Sequence, residues 1–175
     1  MSALRRTGIK RGTTELKRTT ELARSGFTQK ADGTPRKKRK RSTRKKAKDA
    51  AWAACSKYIR LRDALRTTGG VATCICVTCG RVFPTFGKQC IHAGHWLGGR
   101  KGKNLFDERG IFGQCFGCNV RGNGQQISYT AFMMDYHGHD IMDELVLQGN
   151  TNYTYTIDEL EAIKAMYEAK AEELI

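Results

Sequence analysis

Four cysteines in two pairs form the clearest chemical pattern in this 175-residue chain. Cys76 and Cys79 make one C-x-x-C pair, and Cys115 and Cys118 make a second. A C-x-x-C turn directs both thiolates toward one point, and four sulfurs form the closed tetrahedral set that structural zinc takes. The sequence therefore predicts a structural zinc site that stabilises a small β-rich module.

Three further cysteines need another interpretation. Cys74 and Cys90 lie close enough in sequence to compete for the metal, but the x-x spacing is preferred because backbone amides can hydrogen-bond both sulfurs of its tight turn. Cys55 lies on the apolar stripe of a predicted helix, which favours a packed thiol. An odd number of cysteines, seven in all, in a chain with no apolar signal segment indicates metal ligands and free thiols, not a disulfide framework.

The gap between the two pairs, residues 80–114, is longer than the ~15–20 residues of a minimal two-knuckle zinc module. A segment is therefore inserted there, and it carries His92 and His95 on a predicted strand over residues 89–96. Two histidines so close together on this insertion indicate a functional role. A second zinc site and an ordinary surface position are the alternatives.

The order of these motifs resembles that of the HNH, or ββα-metal, nucleases, and in detail the phage NinG (Rap) family of recombination proteins. The resemblance covers roughly residues 50–170, and the segments that carry it are 58–63, 76–80, 93–95 (Ala-Gly-His), 106–109, 114–119 (Gln-Cys-x-x-Cys-Asn) and 163–167. It implies an α+β fold with a zinc-stapled ββα-metal (HNH-like) core flanked by helices. It also implies a metal-dependent DNA endonuclease, a phosphodiester hydrolase that cuts branched recombination intermediates such as Holliday junctions.

The resemblance also implies residue roles. His95 would be the general base that activates a water molecule for attack on phosphorus, a task suited to a neutral imidazole. His92 and Asn119 would hold one catalytic Mg²⁺ or Mn²⁺ ion, which stabilises the leaving oxygen.

Two positions depart from the family pattern. Gly94 stands where many HNH sites have an Asp or His metal ligand, and Gly110 stands where they have their middle Asn. Asp107 and Asn104 are therefore alternative cation ligands.

The positive charge is concentrated near the N-terminus. Residues 1–50 contain 18 Lys and Arg against four acidic residues, whereas residues 51–175 contain 13 of each. Such a block predicts a disordered arm that binds a polyanion, here DNA. The predicted DNA-binding residues of the arm and of the loop after the histidines are Arg36, Lys37, Lys38, Arg39, Lys40, Arg41, Arg44, Lys45, Lys46, Arg100, Lys101 and Lys103.

The expected organisation is a basic arm over residues 1–44 and a nuclease domain over 45–175. Within the domain we predict a helix over 45–66, a zinc-bound ββα core over 71–124 and C-terminal helices over 125–175. The residues from His137 to Asp140 indicate a helix end followed by a new start. Thr156 and Glu159 form a capping box that opens the last helix, interpreted as core packing or a partner surface.

No apolar run approaches the ~18–20 residues of a membrane span, so we expect a soluble, cytoplasmic protein encoded by a phage or prophage in a bacterial host. Two other functions stay open: a non-catalytic zinc-ribbon DNA-binding or regulatory protein, and a generic HNH endonuclease acting on linear duplex DNA. Junction resolution usually takes two coordinated cuts, so a homodimer and contacts with other recombination proteins are further expectations.

Overall fold

The computed structural model describes residues 42–98 and 102–175. Within them, the regular elements in chain order are helix α1 (Thr43–Thr68), strands β1 (Thr73–Ile75), β2 (Val82–Pro84), β3 (His92–His95) and β4 (Ile111–Gln114), and helices α2 (Gln126–Gly149) and α3 (Ile157–Glu172). The predicted mixture of helices and small sheets is confirmed. Short 3₁₀ turns lie at Gly102–Phe106 and Glu108–Gly110, and a single π turn follows the second cysteine pair at Gly117–Arg121.

Helix α1 has clear start and stop signals. The Ser42 side chain accepts a hydrogen bond from the Lys45 amide (3.3 Å), and Gly69 adopts a left-handed conformation with φ of 73° that ends the helix. The predicted apolar stripe faces the core, where Cys55 and Ile59 are fully buried. Helix α1 therefore packs against helix α3 and against strands β1, β3 and β4.

The four strands form two antiparallel hairpins. Strand β1 pairs with β2 and carries the first cysteine pair at its end, and β3 pairs with β4, with His92 opposite Gln114 and His95 opposite Ile111. The Ile91 amide donates to the Pro84 carbonyl (2.8 Å) and joins the two hairpins. The second cysteine pair directly follows β4.

Helix α2 covers one face of the second hairpin. The Phe112 ring of β4 contacts the Phe132 ring edge-on, with ring centroids 4.9 Å apart. Gly138, with φ of 76° and ψ of 176°, interrupts the helix at the junction predicted from the sequence. Strands β3 and β4 thus form a hairpin that is covered on one face by the helix that follows them, α2.

Helix α3 packs along α1. The capping box predicted at its start is confirmed: Thr156 and Glu159 each bind the other's backbone amide. Tyr167 is buried, and its hydroxyl donates to the Phe106 carbonyl (2.7 Å). Among the described helices, none is both long and apolar enough to cross a bilayer.

Candidate metal centre and active site

The four cysteines predicted to bind zinc lie together. Cys76, Cys79, Cys115 and Cys118 place their sulfur atoms within 4.8 Å of one another. Cys79 Sγ and Cys115 Sγ are 4.0 Å apart, close to the separation of about 3.8 Å that tetrahedral Zn–S bonds of ~2.3 Å require. The geometry and the donor type fit a structural zinc ion.

Backbone amides and a hydroxyl orient the sulfurs, as the x-x spacing predicts. The Cys115 amide donates to Cys76 Sγ (3.3 Å), and the Cys118 amide donates to Cys115 Sγ (3.4 Å). Thr78 Oγ1 lies 3.3 Å from Cys76 Sγ. These contacts form the tight turns that direct the sulfurs to one point.

Two sulfurs of the cluster differ widely in acidity. Burial raises the pKa of Cys118 to about 12. Burial also acts to raise the pKa of Cys79, but hydrogen bonds from Arg81 and the neighbouring thiols outweigh it and lower the pKa to about 6. A thiolate therefore forms readily at Cys79, whereas Cys118 would need a cation beside it before it loses its proton.

The other three cysteines lie outside the cluster. Cys74 is buried and accepts a hydrogen bond from Thr67 Oγ1 (3.8 Å), while Cys90 lies 3.9 Å from an Arg60 guanidinium nitrogen. Burial raises the pKa of Cys55 to about 12. The structure therefore favours the x-x pairs over the two competing cysteines.

His92 and His95 point to opposite faces of the hairpin, because they are three residues apart on one strand. The His92 ring meets Phe116 of the second zinc knuckle edge-on, with centroids 5.9 Å apart. The His95 ring stacks on Trp52 of α1 at 4.8 Å. The structure places His92 at the zinc end of the hairpin and His95 at the α1 end.

His95 is held by a backbone carbonyl as well as by Trp52. Its Nε2 lies 3.1 Å from the Leu105 carbonyl oxygen. A carbonyl can only accept, so Nε2 carries the proton and the lone pair of the neutral ring is on Nδ1. Packing and this hydrogen bond fix both the orientation and the tautomer of the imidazole.

A cavity of about 230 Å³ borders His95, between the end of β3 and the end of α2. Asn104 also lines it and is 8% exposed. Its Nδ2 donates to the Leu145 carbonyl (2.7 Å), whereas its Oδ1 is buried with no hydrogen-bond partner among the described residues. The cavity beside the imidazole is thus lined by a residue whose buried amide oxygen has no hydrogen-bond partner among the described residues.

The other predicted cation ligands lie elsewhere. Asn119 is half-buried in the π turn after the second knuckle, and its amide donates to the Cys115 carbonyl (2.8 Å). The Asp107 carboxylate is already engaged by the Arg109 guanidinium (2.9 Å) and by Gln148 (2.9 Å). Burial opposes ionisation of Asp107, but these hydrogen bonds lower its pKa overall. Of the two alternatives, Asn104 is the one whose side-chain oxygen has no hydrogen-bond partner among the described residues.

The side chain of Gln114 explains why residue 94 is glycine. A Cβ at Gly94 would overlap Gln114 Oε1 and lie 3.0 Å from its Cδ. Gln114 is fully buried, and its Nε2 donates to the Gly124 carbonyl (2.8 Å). The space where a ligand side chain would stand is thus filled by the amide of the opposing strand.

Sequence reasoning missed the polar link between α1 and the hairpin. Asp63, fully buried, accepts the Gly113 amide (2.7 Å) and pairs with Arg62 (2.9 Å) and Arg66 (3.4 Å). Arg62 also donates to the carbonyls of Glu108 (3.1 Å) and Ile111 (2.7 Å). Two signals were available, an acidic residue among the apolar positions of a predicted helix and the presence of Arg62 and Asp63 in segment 58–63 of the resemblance.

Only some of the predicted DNA-binding residues lie in the part of the chain that the structure describes. Arg36, Lys37, Lys38, Arg39, Lys40, Arg41, Arg100 and Lys101 lie outside the described residues. Of the others, Arg44 and Lys103 are exposed, Lys45 pairs with Asp49 (3.7 Å), and Lys46 borders α3. Residues 51–121 contain 11 Lys and Arg against three acidic residues, whereas 122–175 contain two against ten, so the hairpin half is the basic half.

These features define a small α+β protein whose second β-hairpin lies between a four-cysteine metal cluster and helix α1. The family model described as Bacteriophage Lambda NinG protein matches residues 3–175, and the chain belongs to this family. The proteins named ninG of Escherichia phage 933W and Escherichia phage lambda are each 32% identical to it over 100 residues, and that of Salmonella phage P22 is 31% identical. Each alignment covers 57% of this chain and 47% of the relative, so the match spans about half of the relatives' length. No solved structure matches the chain.

Proposed function

We propose that this protein is a divalent-cation-dependent DNA endonuclease in which His95 is the general base. The observation that carries the proposal is the restraint on the His95 ring, stacked on Trp52 and hydrogen-bonded to the Leu105 carbonyl beside a cavity. A general base needs a fixed orientation and a defined lone pair, and this arrangement supplies both. Asn104 lines the same cavity, and its buried Oδ1 would accept a hydrogen bond from the attacking water if the side chain turned toward the cavity.

The cation would be held at the zinc end of the hairpin by His92 and Asn119. One imidazole and one amide oxygen form a neutral pair of donors, which suits Mn²⁺ or Mg²⁺ when DNA phosphate oxygens complete the coordination. A bound cation supplies stabilisation of the negative charge that develops on the phosphate and the leaving oxygen. The His92 ring contacts Phe116 of the second cysteine pair's turn, and Asn119 directly follows Cys118, so a zinc ion in the cluster would help to fix both segments.

The substrate proposed is branched DNA. Support for DNA comes from the basic half of the domain and the basic N-terminal block, and support for a branched substrate comes from the likeness to phage recombination proteins. A non-catalytic zinc protein that binds DNA is the second candidate. The separation of His92 from His95 on opposite faces of β3 favours it, because a shared active site must bridge the hairpin edge.

The test is a cleavage assay on a four-way junction and on a linear duplex of the same sequence, with Mg²⁺, with Mn²⁺ and with neither. We expect junction cleavage that needs the cation. His95→Ala and His95→Gln should each lower the rate by about 10²–10⁴-fold, and the glutamine variant can still donate to the Leu105 carbonyl without acting as a base.

His139→Ala is the matched control, because His139 is exposed on α2 and away from the hairpin. It should cut at the wild-type rate. Wild-type activity in His95→Gln would remove His95 from catalysis, and binding of both DNAs without any cleavage would favour the non-catalytic candidate. Equal cutting of both substrates would contradict the branch preference alone.

A further inference from the structure

A second cavity, of about 440 Å³, lies between the start of α1 and the connection from α2 to α3. Its volume is in the range of pockets that hold small ligands. Arg44 and Lys48 line it from the helix, and Thr151, Tyr153 and Tyr155 line it from the connection. Cations and aromatic rings therefore face one another across a single opening.

The cations of α1 are not equivalent. Arg44 and Lys48 are four residues apart and share one helix face, which borders this cavity. Lys45 pairs instead with Asp49, and Lys46 lines a separate hollow against α3. Two of the four basic side chains at positions 44–48 thus line the cavity.

The aromatic side is preorganised. The Tyr153 hydroxyl donates to the Glu159 carboxylate, which caps α3, and the Tyr155 hydroxyl donates to the Lys103 carbonyl (3.1 Å). The Lys103 ammonium lies 5.4 Å from the centre of the Tyr153 ring. Tyr153 is half-buried, so part of its ring is accessible to a ligand.

The cavity adjoins the proposed active site. Gly149 lines both this cavity and the one beside His95. Leu105 also lines the larger cavity, and its carbonyl is the group that holds the His95 ring. The two cavities are therefore neighbours, with Gly149 and Leu105 between a ligand in the larger cavity and the His95 ring.

We propose that this cavity binds one nucleotide of an unpaired DNA strand, with its phosphate on Arg44 and Lys48 and its base against Tyr153. Cations for the backbone and an aromatic face for the base are the usual features of single-strand binding sites. A paired base is stacked inside the duplex and cannot enter such a cavity, so the site would select the unpaired nucleotides of a branch point. This inference rests on the proposed function, because it delivers the neighbouring phosphate to His95.

The test measures binding of a fluorescent 12-nucleotide single strand and of the matching duplex, in the His95→Ala background so that no DNA is cut. Arg44→Ala/Lys48→Ala should weaken single-strand binding by about 10-fold or more, since it removes both phosphate contacts. Lys45→Ala/Lys46→Ala removes the same charge from the same helix turn and should weaken it by only about 2–3-fold, through long-range attraction. Equal losses in the two double variants would overturn the proposal.

Tyr153 provides the second measurement. Tyr153→Leu should lower single-strand affinity by about 10-fold and leave duplex affinity unchanged, whereas Tyr153→Phe keeps the ring and should bind as the parent does. A 5-iodouracil base in the strand should photo-crosslink to the peptide that contains Tyr153. Equal losses for strand and duplex, or a crosslink only to other peptides, would contradict the site. These binding results are independent of cleavage, so they separate failure of the site from failure of the nuclease proposal.

Discussion

The buried carboxylate of Asp63 gives the sharpest test of how the hairpin is held. It accepts the Gly113 amide of β4 and faces the guanidinium groups of Arg62 and Arg66. We expect Asp63→Ala to destabilise the protein far more than removal of any exposed carboxylate on the same helix. Asp49 provides the comparison, because it pairs with Lys45 on the exposed face of α1.

The loss of stability in each variant follows from the groups that the substitution leaves without a partner. Asp63→Ala leaves a buried backbone N–H without its acceptor, which costs about 1–3 kcal/mol. It also leaves two partly buried guanidinium groups without a counter-charge, and breaking such a pair typically brings the total to about 3–5 kcal/mol. Arg62 keeps its bonds to the Glu108 and Ile111 carbonyls, which limits the loss. Asp49→Ala should cost less than about 1 kcal/mol.

Urea unfolding followed by circular dichroism at saturating zinc measures both variants. The measurement also needs a zinc assay, since loss of metal would lower stability for a separate reason. Asp63→Asn keeps the shape and removes the charge, so its cost should fall between those of the other two. Losses of similar size in Asp63→Ala and Asp49→Ala, with zinc retained, would refute the assigned role of the buried carboxylate.

Two further predictions concern the hairpin and its metal. Gly94→Ala should lower the free energy of unfolding by about 1–3 kcal/mol, because its Cβ would overlap the Gln114 side chain. In a double-mutant cycle measured by urea unfolding, Gln114→Ala should relieve part of that loss. Strict additivity of the two losses would contradict the overlap. Cys115→Ser should lose zinc and much of the circular dichroism signal of the folded protein, whereas Cys90→Ser should keep both. Metal analysis and circular dichroism measure the two effects. Equal zinc content in the two variants would contradict the cluster.

The features that the sequence predicted correctly depend on short local patterns of residues. Each C-x-x-C turn needs only four consecutive residues to direct its sulfurs, and the capping box at Thr156 needs only the first turn of α3. Gly138 marks the break in α2 because only glycine readily adopts a φ of 76°. Features of this kind are determined within a few residues, so they can be recognised without the fold.

The missed features depend on contacts between distant segments. The stacking of His95 on Trp52 joins β3 to α1, and the burial of Asn104 depends on the end of α2. Asp107 was a reasonable alternative ligand by composition, yet Arg109 and Gln148 occupy its oxygens. Residue type suggested the chemistry in each case, but only packing determines which atoms are left to perform it.

The two ends of the β3–β4 hairpin are held by different chemistry. At the end with His92 and Gln114, the cysteine cluster fixes the chain through Cys115, which directly follows β4. At the end with His95, the Leu105 carbonyl, Trp52 and the Arg62 bond to the Ile111 carbonyl hold the imidazole. A zinc ion in the cluster would therefore act on the proposed cation ligands directly and on the proposed base only through the length of the strand.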